Sequence, residues 1–297
     1  MSEATPVPAG PETATAAELP RPARARVPML QAIYAIWYRD VLRFWRDRAR
    51  LAVSLVQPVL YLLVFGVGLS SALGGARGLP PGVTYVQYMY PGVIGMAVLF
   101  TATFSAMSVV WDRELGFLRE ILVAPIDRSA VVIGKALGGT TQAMVQGIII
   151  LALAPLAGVE LTVAGVLELV PLLFVLAFAL TCLGLAVASR LKSMQGFQMV
   201  MNLLMMPMFF LSGAMFPLRG LPAWLAVLTR FDPVAYGMAP IRLAVLRGAG
   251  VPAAVLDRFT GITIAGTPVP PLGDVLILLA AGAVCLGIAI RAMRRPD

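Results

Sequence analysis

Long unbroken blocks of apolar residues constrain this chain more than any other feature of its sequence. A helix that crosses roughly 30 Å of hydrocarbon needs about 20 mostly apolar residues. Hydrophobic residues make up 59% of the chain and charged residues 13%, whereas a soluble domain has about 25% charged residues. The sequence therefore predicts an all-α, polytopic membrane protein with six transmembrane helices. The predicted spans are residues 51–69, 92–110, 136–155, 169–188, 196–216 and 272–290.

The distribution of lysine and arginine predicts the orientation of these spans. With the N-terminus inside, seventeen of the 23 lysines and arginines fall in cytoplasmic segments and six in outer segments. Cytoplasmic loops of membrane proteins carry such an excess. We therefore expect both termini in the cytoplasm, and basic patches that face anionic lipid headgroups and not nucleic acid. Residues 1–28 are rich in Ala, Pro, Glu and Arg and are expected to form a disordered cytoplasmic tail.

Residue types that support catalysis or metal binding are scarce. The chain has no histidine, and its two cysteines, Cys182 and Cys285, lie inside apolar blocks. Histidine-based triads and four-ligand zinc sites are therefore excluded. The phosphate-binding pattern GxxxxGK[ST] is broken, because Ser129 and Ala136 stand at its first and last positions. We expect no catalytic residue and no metal or cofactor bound by this chain.

The segment before span one has the periodicity of an amphipathic helix. In residues 29–50, apolar side chains recur at three- and four-residue spacing, while Arg39, Asp40 and further charged residues occupy the other positions. This pattern predicts a helix that lies in the inner membrane interface. A basic flank that merely orients span one is the alternative interpretation.

The loop between spans two and three, residues 111–126, has a similar pattern. Charged residues alternate with apolar ones, and Pro125 ends the predicted helix. Such a helix can dock into a groove of another protein or rest on the membrane surface, and the spacing favours neither. The residues expected on one apolar face are Leu115, Leu118, Ile121 and Leu122.

Between spans five and six lies the longest outer segment, residues 217–271. It contains two apolar stretches, residues 221–228 and 234–246, which are interrupted by Phe231-Asp-Pro and by Gly237. We predict two outer half-helices joined by a turn. They would lie at the outer interface or dip partway into the bundle, where non-spanning backbone needs protein or a wet cavity around it.

Neutral polar residues and methionines characterise the interiors of the spans. No ionisable residue lies at a span centre, although ion-driven carriers usually need such groups. The neutral polar side chains suggest hydrogen bonds between helices and, in part, a weakly polar translocation surface. The six methionines of span five suit core packing or an adaptable face toward a bulky hydrophobic solute. The candidate path residues are Gln198, Asn202, Met205, Met206 and Phe209.

Two pairs of small residues, four positions apart, are candidate surfaces for close helix packing. Gly134 and Gly138 form one pair in span three, and Ala283 and Gly287 form the other in span six. Small residues at this spacing let neighbouring helices approach closely, but the spacing is common by chance in apolar helices.

Five stretches, taken in order, resemble the type-2 ATP-binding-cassette (ABC) export permeases. The last two stretches together are specific, and the resemblance covers residues 29–295, the expected ABC-2 type transmembrane domain. The stretches are the amphipathic helix ending in residues 39–50, YPGVIG at 90–95, RELGFLREILVAPI at 113–126, LSGAMFP at 211–217, and LPAWL at 221–225 with DPVAYG at 232–237.

The resemblance implies a permease of the bacterial plasma membrane that pairs with a second permease, most simply a second copy. It implies that a separate ABC ATPase on the inner face binds ATP and magnesium. Residues 111–126 would form the coupling helix that seats on this ATPase, and the N-terminal helix would contribute to the same contact. The coupling residues would be Arg113, Glu114, Leu115, Phe117, Leu118, Arg119 and Glu120.

The exported solute implied by the resemblance is hydrophobic or amphipathic, such as a drug, an antibiotic or a lipid-linked molecule. Export of a polysaccharide or lipo-oligosaccharide is the alternative within the family. A membrane-embedded lipid-modifying enzyme would need clustered carboxylates, for which Asp112, Glu114 and Glu120 are the candidates, and they alternate with arginines. An ion-coupled carrier is the third class of function considered.

Overall fold

The computed structural model describes residues 27–64, 84–116, 126–159, 161–215, 218, 222–248, 251, 256, 262–264 and 267–294. This part of the chain is almost entirely helical, with one short 3-10 helix at Ala154–Ala157. Strands β1 (Thr263–Ile264) and β2 (Thr267–Pro268) form a two-residue antiparallel pair. The helices are α1 Met29–Arg46, α2 Arg48–Tyr61, α3 Tyr85–Ser105, α4 Met107–Glu114, α5 Arg128–Ala152, α6 Val163–Ala188, α7 Met194–Leu211, α8 Ala223–Phe231, α9 Pro233–Gly248 and α10 Pro271–Arg294.

Within the part of the chain that the structure describes, four helical units are long and apolar enough to cross a membrane. They are the joined α3 and α4 from Tyr85 to Glu114, and helices α6, α7 and α10. These four contain the second, fourth, fifth and sixth predicted spans, although residues 212–216 of the fifth lie beyond the end of α7. The multi-span helical architecture is therefore confirmed, whereas the number six remains a prediction.

The two remaining predicted spans fall on α5 and α2. Helix α5 has 25 residues, which is long enough at a rise of about 1.5 Å per residue. Its threonines and glutamines make it more polar than the other four. The first predicted span lies on α2 and its continuation to residue 64, and residues 65–69 lie outside the described part of the chain.

Helix α6 lies at the centre of the bundle, where it packs against α3, α5, α9 and α10. Large side chains such as Tyr90, Leu173 and Leu180 are fully buried in this core. Apolar side chains also cover outward surfaces, and Val53, Leu203 and other large ones are exposed. Contiguous exposed apolar surface marks a protein or membrane contact, and here it agrees with spans that face lipid.

Helix α1 crosses α5 at a surface made by small residues. A Cβ atom on Gly134 would lie 2.8 Å from the Cβ of Ile36, and one on Gly138 would lie 3.1 Å from the Cβ of Asp40. A Cβ at Gly134 would require a shift of its neighbours, and one at Gly138 would make an unusually tight contact, so the two glycines confirm the first predicted packing pair. The second pair is not packed in this way, because Gly287 has no neighbour within 4 Å among the described residues.

Two helices, α8 and α9, occupy the stretch in which outer half-helices were predicted. The predicted break at residues 231–233 is present, because α8 ends at Phe231 and α9 begins at Pro233. Gly237 interrupts the apolar pattern but not the helix, since α9 continues through it. It gives room for Leu176 of α6, whose Cδ1 would clash with an added Cβ.

Candidate functional site

Several helix ends meet at one end of the bundle, where arginine side chains bind their carbonyl groups. We call this the basic end. Arg113 Nη1 donates hydrogen bonds to the carbonyl oxygens of Ser189 (3.2 Å) and Leu191 (3.0 Å), just beyond the end of α6. Arg128 Nη1 donates to the carbonyls of Met293 (3.2 Å) and Arg294 (3.1 Å), at the end of α10. Both cations satisfy free carbonyl groups at helix C-termini, where positive charge is favoured.

A buried cluster of charged side chains lies at this basic end. Lys135 Nζ is 2.7 Å from Asp112 Oδ2 and 3.8 Å from Asp40 Oδ2, and it donates a hydrogen bond of 3.1 Å to Ser108 Oγ. Arg39 Nη2 lies 3.2 Å from Asp40 Oδ1 and 3.3 Å from Asp112 Oδ2. The three groups Asp40, Asp112 and Lys135 are all buried. We refer to these four charged residues as the ion cluster.

The ion cluster joins three helices that are distant in sequence, and it was not predicted. The assignment of Asp40 to the charged positions outside the apolar face of α1 is wrong, because Asp40 is buried together with Ala32, Ile36 and Phe44. These four residues recur every fourth position, and this spacing was the available signal. Two carboxylates and two cations balance one another, so the cluster has the composition of an ion-pair network and not of an acid–base site.

The predicted coupling residues fall partly within the described chain. A single helix through residues 111–126 is wrong, because α4 ends at Glu114 and Gly116 has a φ of 79°, outside the helical range. Leu115, just before that glycine, is exposed. Glu114 Oε2 accepts a hydrogen bond of 3.3 Å from the backbone N–H of Met194, at the start of α7. Phe117, Leu118, Arg119 and Glu120 lie outside the described residues.

The five predicted path residues differ in burial along α7. Met205 and Phe209 are buried in the core, together with Phe197 and Met201, one residue in every four. Gln198, Asn202 and Met206 are exposed. Among these five, only Gln198 lines the cavity described next. The role of all five in transport therefore stays a prediction.

A cavity of about 520 Å³ lies beside the ion cluster, between α1 and α2 on one side and α3, α4 and α5 on the other. Aromatic rings and small or neutral polar groups dominate its wall, with three charged residues from α1 and its end. The lining residues include Phe44, Phe100, Phe104 and Trp111, then Ser54, Gln57, Thr101, Ser105, Ser108, Gln142 and Gln198, and also Asp40, Arg43 and Asp47.

Several neutral polar residues of α5 hydrogen-bond to neighbouring helices. Trp37 Nε1 donates to Thr141 Oγ1 at 3.0 Å, and Gln142 Nε2 donates to the carbonyl of Asp40 at 3.3 Å. Gln146 Nε2 donates to the carbonyl of Ser54, and Ser54 Oγ donates back to Gln146 Oε1, both at 3.0 Å. These contacts agree with the interpretation of interhelical hydrogen bonding and account for the polarity of α5.

At the opposite end of the bundle, α9 is fixed by two buried ionisable residues. The Arg242 guanidinium lies 4.4 Å from the ring centroid of Tyr88 and donates to the carbonyl of Gly213, beyond the end of α7. Asp232 caps α9 by accepting a hydrogen bond of 2.9 Å from the Val234 N–H. Burial raises the pKa of Asp232 to about 8, although this hydrogen bond acts to lower it.

These observations define a multi-span helical membrane protein with a charged end and an adjoining amphipathic cavity. Residues 31–246 match the family model described as ABC-2 type transporter. Because this match covers more than half of the chain, the protein belongs to the ABC-2 type transporter family. Proteins of this family normally work with an ABC ATPase.

Curated relatives agree with this family. The chain is 28% identical to "Nodulation protein J" of Rhizobium leguminosarum bv. viciae, over 82% of this chain and 92% of that protein. It is 26% identical to "Inner membrane transport permease YadH" of Escherichia coli strain K12, over 74% and 85%. It is also 26% identical to "Putative transport permease ycf38" of Cyanophora paradoxa, over 72% and 73%. Two of these three names describe a transport permease, which fits a non-enzymatic membrane subunit.

Proposed function

We propose that this chain is the membrane-spanning permease of an ATP-driven exporter. It has six spans, places both termini in the cytoplasm of a bacterium, and pairs with a second copy in the plasma membrane. A separate ABC ATPase hydrolyses magnesium-bound ATP and docks at residues 111–126, so this chain binds no cofactor. The cargo is a hydrophobic or amphipathic solute, such as a drug, an antibiotic or a lipid-linked molecule.

The cavity at the basic end carries this proposal. A ligand pocket typically has a volume of about 300–1,000 Å³ and combines apolar walls with a few polar groups, and this cavity of about 520 Å³ fits that description. Its aromatic rings suit an apolar part of a solute, while its hydroxyl and amide groups suit a polar part. Because the cavity adjoins the ion cluster and Trp111, a bound solute would lie next to the segment that receives the ATPase.

Purified chain and its ATPase, reconstituted together in lipid vesicles, test the proposal. ATP supplied on the side of the ATPase is expected to drive a fluorescent amphiphile across the membrane, and either protein alone is expected to leave it in place. If ATPase never co-purifies with the chain, or if the amphiphile moves equally without ATP, the proposed function is wrong.

A cavity-filling variant tests where the cargo binds. Thr101→Trp places an indole in the cavity and is expected to reduce the transport kcat/KM about tenfold, because solute and indole compete for the same space. Phe174→Trp is the matched control, since Phe174 is an exposed ring on α6 and is not among the cavity residues. Equal transport by both variants would move the cargo site elsewhere.

The same reconstitution discriminates the other functions and the other cargo. A lipid-modifying enzyme would convert a lipid without ATPase or nucleotide, and an ion-coupled carrier would follow a proton or sodium gradient in vesicles that lack ATP. A lipo-oligosaccharide or polysaccharide is the second candidate cargo, because the family that the chain resembles also includes exporters of such glycans. Stimulation of ATP hydrolysis by such a glycan, and not by apolar amphiphiles, would select it.

A further inference from the structure

Four consecutive residues at the end of α4, Trp111 to Glu114, each bind a different helix or helix end. The Arg43 guanidinium of α1 lies 5.2 Å from the centroid of the Trp111 ring, within the range of a cation–π contact. Asp112 is ion-paired with Lys135 of α5 at 2.7 Å. The first two residues therefore tie the end of α4 to α1 and to α5.

The next two residues bind the turn between α6 and α7. Arg113 donates to the carbonyls of Ser189 and Leu191, at 3.2 and 3.0 Å, where α6 has just ended. Glu114 accepts from the N–H of Met194, the first residue of α7. A carboxylate is favoured at a helix N-terminus and a cation at a C-terminus, so both contacts match the helix ends that they bind.

Burial makes the Asp112 contact specific in geometry. The Lys135 side chain is 1% exposed and the Asp112 side chain 8%, so neither can exchange its partner for water without moving a helix. Buried ion pairs add little net stability compared with apolar pairs of similar size, but breaking one by removing a single partner is costly. The pair is thus better suited to fixing relative position than to holding the fold together.

We propose that Trp111–Glu114 is a transmission hub, which passes displacement of the following residues to α1, α5, α6 and α7 together. The Asp112–Lys135 ion pair is its rigid link to α5. The inference rests on the proposed function, because the ATPase is the source of that displacement. It adds named positioning residues, which act on the transport path through the helices and do not touch ATP.

Position favours this role over ordinary fold stabilisation. The hub ends at Glu114, the last residue of α4, and Gly116 has a positive φ, so the helix ends within the proposed docking residues 111–126. Trp111 and Ser108 also line the cavity, and Ser108 accepts a hydrogen bond from Lys135. Movement of the hub therefore changes the cavity wall directly.

The test replaces the ion pair by an apolar pair. Asp112→Leu with Lys135→Met removes one negative and one positive charge, so Arg39 and Asp40 still balance each other at 3.2 Å. Apolar replacements of a buried ion pair usually preserve stability. Two apolar side chains form no directional bond, however, so α4 and α5 can then shift relative to each other. The double variant is expected to bind the ATPase with unchanged stoichiometry and to unfold at an unchanged temperature. Solute moved per ATP hydrolysed is expected to fall about tenfold.

Two further variants keep the test decisive if the double variant fails to fold. Arg39→Met cuts one link between α1 and Asp112 at a half-exposed side chain, and it is expected to lower transport per ATP while leaving assembly intact. Glu168→Gln is the matched control, because it breaks an exposed ion pair with Arg247 at the opposite end of the bundle, and it is expected to change nothing.

The outcomes separate this inference from the proposed function. If the unaltered chain binds its ATPase and transports, while stable ion-cluster variants keep a normal ratio of transport to hydrolysis, the hub is overturned and the permease remains. If the unaltered chain binds no ATPase, the proposed function fails and the hub falls with it. Lower transport with equal ATPase binding supports the hub.

Discussion

Lys135 shows how strongly one residue can depend on its partners. It is 2% exposed and, together with Arg39, balances two buried carboxylates, Asp112 and Asp40. Among the described residues, Lys135→Met leaves those carboxylates with Arg39 as their ion-pair partner, so the free energy of unfolding is expected to fall by about 3–5 kcal/mol. Thermal unfolding in detergent measures this, with Glu168→Gln expected to stay within about 0.5 kcal/mol of the unaltered chain. A Lys135→Met protein of unchanged stability would contradict the importance of Lys135 to the cluster.

Asp232 is expected to make the segment of α8 and α9 sensitive to pH. Its pKa is raised from 3.8 to about 8 by burial, so the folded protein holds this proton more tightly than the unfolded chain. The associated stability is complete below about pH 4 and is lost as the pH rises toward 8. The loss approaches about 1.4 kcal/mol per pH unit for one proton.

Asp232→Asn tests this pH dependence. The amide does not ionise, and its oxygen can still accept the hydrogen bond that Asp232 receives from Val234. Unfolding temperatures measured from about pH 5 to about pH 8 are expected to fall more steeply for the unaltered chain than for the variant. Parallel curves would contradict the assignment of the buried proton to Asp232.

The ion cluster marks the limit of what single residues reveal in the sequence. Periodicity placed Asp40 among the charged positions of α1, because its neighbours Arg39 and Arg43 are polar too. Its burial depends on Lys135, which lies 95 positions later and meets it only after α1 crosses α5. Gly134 and Gly138 were recognised as a packing surface, since small residues four apart are a local signal, but no local signal named the helix that uses them.

A larger residue in place of Gly134 is expected to push α1 away from α5. Gly134→Ala would place a methyl group 2.8 Å from the Cβ of Ile36 and 3.0 Å from the carbonyl oxygen of Ile33. Separating the helices is expected to cost about 1–3 kcal/mol, and it would also disturb the hydrogen bond from Trp37 to Thr141. Thermal unfolding of the purified protein measures the loss.

Gly287→Ala is the matched control for that crossing. It lies in α10, and an added Cβ there meets no atom within 4 Å among the described residues, so alanine is expected to be neutral or to favour the helix. Equal effects of the two substitutions would show that helix propensity, and not the close approach of α1, sets their outcome.

The positions of the helices were easier to predict from the sequence than the residues at which they end. Apolar blocks identified α3, α6, α7 and α10, because composition alone fixes which segments avoid water. The ends were displaced where polar residues continue a helix: α4 runs to Glu114, beyond the apolar block that ends at residue 110. The hydrogen bonds of Arg113 and Glu114 to the α6–α7 turn stabilise that extension, and the sequence did not indicate those distant partners.

The whole molecule combines features that no single helix contains. The cavity takes its wall from α1 to α5, with Gln198 at the start of α7, so its existence could not be read from any one segment. Family membership, by contrast, follows from residues 31–246 as a unit. The hub and the cavity lie together at the basic end. In the proposed exporter, the residues next to the ATPase and the cavity that binds the solute are therefore close to each other.

Crosslinking within the proposed docking residues 111–126 tests the central claim most directly. A photo-activatable amino acid replaces Leu118 in bacteria that produce both the chain and its proposed partner, an ABC ATPase. We predict that light links residue 118 to the ATPase, and that a membrane-impermeant thiol reagent fails to label Leu118→Cys in intact cells but labels it after the membrane is opened. Labelling from outside in intact cells, with no link to the ATPase, would contradict the account.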